Sequence, residues 1–161
     1  MTVGNYMENI KIIDLEPQLV IGTRKKGYYR EIGEILPKIY EYASKKGAVF
    51  SGMPIFICHE SPEEMEEANK TGNADIEIAV PIENKIEETD EMQCYILPGG
   101  KMAKIIHKGP YEACEVTYNE LFAWIEKNNK SITGPIREVY INDPREVGTE
   151  NTITEIYAPI D

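Results

Sequence analysis

Gly109-Pro110-Tyr111, a helix-like stretch, and then Gly134-Pro135-Ile136-Arg137-Glu138-Val139-Tyr140 decide the fold, because an earlier part of the chain has the same layout. That earlier copy runs Gly27-Tyr28-Tyr29, a helix-like stretch, and Gly52-Met53-Pro54-Ile55-Phe56-Ile57. Positions 27 and 109, 29 and 111, and 52 and 134 are each 82 residues apart. The copies also close alike, Ile76-Glu77-Ile78-Ala79-Val80-Pro81-Ile82 against Thr154-Glu155-Ile156-Tyr157-Ala158-Pro159-Ile160, at an offset of 78. A duplication of this length predicts two similar halves, and the seam between pseudo-symmetric halves is a natural groove for a ligand.

Working outward, the first copy reads as strands over 10–15 and 19–24, a helix over 30–46, and strands over 54–60 and 74–82. The second reads as strands over 91–97 and 101–107, a helix over 112–128, and strands over 136–142 and 152–160. Ile32, Leu36, Ile39, Tyr40 and Ala43 form one stripe at helical period, and the residues 82 further on are Cys114, Tyr118, Leu121, Phe122 and Ile125. These stripes are core. Gly47 stands where a helix-ending glycine belongs, while Pro37 predicts a kink or a late helix start. Residues 1–9 are expected to be a polar, loosely ordered start, 61–73 a solvated loop or short helix, and 143–151 a polar loop. Each half is therefore strand, strand, helix, strand, strand (a ββαββ-like unit). The expected fold is α+β, with a mainly antiparallel eight-stranded sheet and two long helices. It forms a single domain over 1–161, with repeats at about 10–82 and 91–160.

Composition narrows the function. A net charge of −11 repels phosphates, so direct nucleic-acid binding is not expected, while the field favours cationic ligands or basic partners. No apolar run is long enough to span a bilayer, and the N-terminus lacks the order of a secretory signal, so a cytoplasmic protein without a membrane partner is expected. The three cysteines (Cys58, Cys94, Cys114) are widely spaced, and the two histidines (His59, His107) stand in no ligand spacing. Neither a metal site nor a cofactor is therefore expected. There is no G-x-S-x-G, and Pro98-Gly99-Gly100 lacks the lysine of a phosphate loop.

Two strand carboxylates remain. Alternation puts Glu138 and Tyr140 on one face of their strand, and Glu155 on one face with Ile153 and Tyr157. Two Glu-x-Tyr strands in one antiparallel unit can gather carboxylates and phenols around a pocket for a delocalised cation, each ring face adding about 0.5–2 kcal/mol. The alternative leaves both glutamates facing solvent.

The runs His107-Lys108-Gly109-Pro110-Tyr111, Gly134 to Pro144 and Thr154 to Ile160 resemble the GyrI-like small-molecule-binding family. This is the effector-binding domain of BmrR-, AraC- and Rob-type transcription regulators. The resemblance covers about Ile10 to Ile160. It implies a groove that captures amphipathic, cationic aromatic compounds, for sensing or sequestration. It also implies that Glu155 and Glu138 are the acids, Tyr157 an aromatic wall and Tyr140 a weaker one. Trp124 reads as a packing anchor, and the resemblance assigns nothing firm to Tyr118. Relatives also imply two other functions. One is hydrolysis of electrophilic toxic small molecules, with Glu155, Glu138 and Tyr157 as the catalytic set. The other is modulation of DNA gyrase. A DNA-binding regulator or gyrase would then be the protein partner. In the first copy Phe56, Cys58 and Ala79 stand where Glu138, Tyr140 and Tyr157 stand, and only Glu77 matches Glu155.

Overall fold

A computed structural model describes residues 9–161, so the start expected over 1–9 falls, apart from Asn9, outside the described residues. Eight strands and two long helices form an α+β fold in which every described strand pairing is antiparallel. The strands are β1 (Lys11–Leu15), β2 (Gln18–Gly27), β3 (Ile55–Cys58), β4 (Ala74–Pro81), β5 (Gln93–Leu97), β6 (Gly100–Lys108), β7 (Ile136–Tyr140) and β8 (Ile153–Pro159). The helices are α1 (Ile32–Lys45), α2 (Pro62–Thr71), α3 (Cys114–Lys127) and the single turn α4 (Pro144–Val147). No helix among the described residues is long and apolar enough to cross a membrane.

The described residues divide into a central unit, Glu16–Gly99, and a terminal unit made of the segment ending at Leu15 with Gly100–Asp161. In the central unit the order is β5-β2-β4-β3, and in the terminal unit β1-β6-β8-β7. The first strand of each repeat thus joins the sheet built from the other copy. The chain changes units at Glu16-Pro17 and again at Pro98-Gly99. A proline at each crossing has no N–H to continue a ladder, which suits a place where the strand must leave its sheet.

Both long helices begin two residues later than their spacing predicts, each entered through a short 3-10 turn, Tyr29–Glu31 and Tyr111–Ala113. Helix α1 continues through Pro37. Gly47 follows it at φ +81°, where only glycine is unstrained. The stretch 61–73 resolves as α2, started by a capping box between Ser61 and Glu64 and ended by Gly72 at φ +73°. The loop expected over 143–151 holds α4 and a 3-10 turn, because Asp143 accepts from the Arg145 backbone N–H at 2.8 Å and nucleates a turn.

In the terminal unit Leu121 and Ile125 of α3 close over Ala103, Ile105, Ile156, Ala158 and Ile160, with Tyr118 and Trp124 packed against them. In the central unit Ile35, Ile39 and Ala43 of α1 are the buried helix positions. Each sheet therefore has one face toward its long helix and one face away from it.

Thr154 lies on the helix face of β8, fully buried, and its hydroxyl has no hydrogen-bond partner among the described residues. The repeat places Ile76, equally buried, at the same position. An unpaired buried hydroxyl costs about 1–3 kcal/mol. Thr154→Val keeps the shape and removes that cost, so the urea midpoint of the variant should lie above wild type by about 1 kcal/mol equivalent. A lower midpoint would mean that the hydroxyl has a partner.

Candidate functional site

The register of β7 on β8 sorts the four expected site residues. Glu138 lies across from Ile156 and Tyr140 from Thr154, whereas Arg137 lies across from Tyr157 and Val139 from Glu155. Directly paired residues share a sheet face. Ile156 packs under α3, so Glu138 and Tyr140 are on the helix face, and Glu155 and Tyr157 are on the opposite face. The structure therefore makes two acid–phenol pairs in the terminal unit, one on each face of the sheet.

On the helix face the Glu138 carboxylate accepts hydrogen bonds from the Tyr118 hydroxyl of α3 and, at 3.3 Å, from the Tyr140 hydroxyl. Tyr111 sets its ring edgewise on Tyr140, with centroids 5.5 Å apart, and is 40% exposed. His107, buried on β6, lies across from Thr154 and spends both ring nitrogens locally, on the Thr117 hydroxyl at 2.7 Å and the Pro110 carbonyl oxygen at 2.9 Å. The unpaired Thr154 hydroxyl stands between His107 and Tyr140 in the register. Among the described residues Glu138 makes no ion pair. Burial pushes its carboxyl above the usual range, against the downward pull of the two phenols and of His107. Burial likewise raises Tyr140 well above an ordinary phenol and pushes the Cys114 thiol up to about 12.

On the face away from α3, Glu155 accepts from the Tyr157 hydroxyl at 2.6 Å and pairs with Lys104 Nζ at 3.3 Å. That ammonium also lies 5.6 Å from the Tyr157 ring centroid. This acid is already neutralised from within the chain. Burial, with Glu155 second, raises the Tyr157 phenol.

The central unit holds a third acid, Glu77, on the face away from α1. It is 9% exposed and bonded to His59 Nε2 at 2.7 Å and to the Tyr95 hydroxyl at 2.6 Å. At the position equivalent to Glu138 it has Phe56, beside Leu36 and Cys58 in place of Tyr118 and Tyr140. The repeat thus fills the same space with apolar groups, so packing does not demand the polar cage around Glu138.

Sequence reasoning named Glu138, Tyr140, Glu155, Tyr157 and the Glu77 match, and it missed Tyr111, Thr154, Lys104, His59 and Tyr95 as partners. Tyr118 had a readable signal, because it replaces Leu36 in an otherwise matching helix stripe.

Because the folded carboxyl of Glu138 is raised, the native state binds its proton more tightly than the unfolded chain does. The stability linked to that proton is complete below the unfolded value of ~4.3 and is lost as pH climbs through the raised folded value. Glu138→Gln is neutral throughout. Its stability relative to wild type should therefore rise between pH 4 and pH 8 in urea titrations. A constant difference across that range would show a carboxylate that is not desolvated.

Residues 8–161 match the profile of the GyrI-like small molecule binding domain. Among curated proteins no sequence matches the chain. Among solved structures, the C-terminal domain of EcmrR superposes with a TM-score of 0.83 at 20% identity, over 94% of this chain and 96% of that one. EcmrR in its DNA complex gives 0.85 at 18% identity over 99% of this chain, which spans only 63% of the EcmrR length. A hydrolase from Listeria innocua gives 0.69 at 14% over 95% and 92%. SAV2435 bound to tetraphenylphosphonium gives 0.58 at 12% over 94% and 93%. At these identities the structures establish a shared fold, while the profile spans nearly the whole chain. The chain belongs to the GyrI-like small-molecule-binding domain family.

Proposed function

We propose that this chain captures amphipathic, cationic aromatic compounds, for sensing with a separate DNA-binding partner or for sequestration, and that Glu138 is the anionic anchor. The observation that carries this reading is a desolvated carboxylate hydrogen-bonded by two phenols and, among the described residues, in no ion pair. A cation entering beside Tyr111 and Tyr140 gains charge pairing in a low-dielectric setting together with ring-face attraction. The buried, unpaired Thr154 hydroxyl supports the same place, since it leaves an acceptor and donor for a ligand to satisfy. The pair Glu155–Tyr157 contributes a second acid–phenol position on the other face, where a ligand cation must first displace Lys104. A lipophilic aryl cation occupies a protein of this fold in SAV2435, which suits the chemistry of the cage.

The test is a fluorescence and thermal-shift titration with tetraphenylphosphonium beside neutral triphenylphosphine oxide. Glu138→Gln should weaken the cation by about 10-fold or more, equivalent to ~1.4 kcal/mol, and the neutral compound by less than about 2-fold. Glu155→Gln should cost the cation less than Glu138→Gln does. Equal losses for both compounds in Glu138→Gln, or a larger loss in Glu155→Gln, would remove Glu138 as the anchor.

A further inference from the structure

A carboxylate that anchors a cation needs its charge balanced before the cation arrives. Around Glu138 the near groups are phenols. Its carboxyl accepts from the Tyr118 hydroxyl of α3 and, at 3.3 Å, from the Tyr140 hydroxyl of its own strand, and among the described residues it is in no ion pair. The repeat shows how apolar this place is. The equivalent positions in the central unit are Phe56, Leu36 and Cys58, and Phe56 is only 2% exposed. A benzyl group and a carboxyl thus occupy equivalent space, and an ion without a counter-ion is costly in such surroundings.

Two effects compete at the carboxyl. The phenol hydrogen bonds favour the ionised form, while removal from water favours the neutral one, and burial is the larger influence. The cage is nevertheless not sealed. Glu138, Tyr118 and Tyr140 are each half-buried, and the Tyr111 ring that rests edgewise on Tyr140 is exposed.

The other titratable and charged groups facing this cluster are Cys114 on α3, His107 on β6, and Glu112 and Asp143 beyond Cys114 and Tyr111. Burial holds the phenols of Tyr111 and Tyr140 above their ordinary value and pushes the Cys114 thiol up to about 12, so none of the three yields a proton near neutrality. Arg145 holds Asp143 below the usual carboxylate range, and Glu112 is exposed to water. His107 commits one ring nitrogen to the Thr117 hydroxyl and the other to the Pro110 carbonyl oxygen. The Glu138 carboxyl is the group left to exchange a proton.

We propose that the cage is a proton–cation exchanger: in mildly acidic solution the empty protein carries a proton on Glu138, and an incoming lipophilic cation takes that proton's place. This rests on the reading of Glu138 as the anchor. In the exchange the carboxyl O–H bond breaks, the proton passes to solvent, and the carboxylate pairs with the cation. One positive charge enters and one leaves, so the cage is neutral with or without its ligand. The bound state holds fewer protons than the empty one, so acidification opposes capture. Below the folded value of the carboxyl the Kd should rise about tenfold per pH unit, and above it the Kd should be flat.

The experiment is calorimetric titration of the full chain with tetraphenylphosphonium between pH 5 and pH 8, at each pH in two buffers of widely different ionisation enthalpy. In wild type the heats in the two buffers should diverge as pH is lowered, towards release of one proton per cation. Neutral triphenylphosphine oxide should release none, and the residual cation binding of Glu138→Gln should depend on neither pH nor buffer. If Glu138→Gln weakens the cation but wild type gives equal heats in both buffers and a flat pH profile, Glu138 is a permanently ionised anchor and the exchange is overturned. Proton release that persists in Glu138→Gln would assign the proton to another group and overturn it equally. Cation binding undiminished in Glu138→Gln would remove the anchor itself, and the exchange with it.

Discussion

The antiparallel register of β7 on β8 is the constraint on which the chemistry of the terminal unit depends. With side chains alternating at every residue, pairing Glu138 with Ile156 commits Glu138 and Tyr140 to the helix side. The same pairing commits Glu155 and Tyr157 to the other side. A slip of one residue would exchange the two sets. It would also push Ile156 and Ala158 out of the core beneath Leu121 and Ile125, which is why the apolar packing holds the polar groups in place.

Burial then differentiates acids that look alike on paper. Glu155 faces an ammonium, and its charge is met within the chain. Glu138 is met by phenols, which donate hydrogen bonds but bring no positive charge, so removal from water raises its carboxyl. Glu77 is met by an imidazole and a phenol. The three environments differ in kind: two phenols, an ammonium with a phenol, and an imidazole with a phenol.

Divergence between the copies shows which of these features the fold itself needs. The stripe on α1 and α3, the closing strands and the paired crossings at Pro17 and Pro98 occur in both, and they are the parts that bury apolar surface. Phe56, Leu36 and Cys58 fill with apolar atoms the space that Glu138, Tyr118 and Tyr140 fill with a polar cage. Gly22 and Ala79 open the space that Lys104 and Tyr157 occupy. Polar groups and a strand glycine are costly where an apolar neighbour copy shows they are dispensable, which separates function from packing within one chain.

The strands, the two long helices and the repeat were legible in the residues alone, because periodicity and turn chemistry are local and the second copy repeats them in step, whereas the single turn α4 over a stretch expected to be loop was not. Glu138, Tyr140, Glu155 and Tyr157 were legible as candidates for the same reason. Their division into two faces was not, since which residue lies across from which is set by pairing between strands distant in the chain. The exchange of the first strands between units was equally hidden, for alternation identifies a strand but not its neighbour. Lys104, His59 and Tyr95 became partners of glutamates only through such long-range pairing. Sequence by itself determined the strands, the two long helices and their repeat; tertiary structure decided which acid is ion-paired, which is buried among phenols, and which holds a histidine, because solvation and register are properties of the assembled sheet.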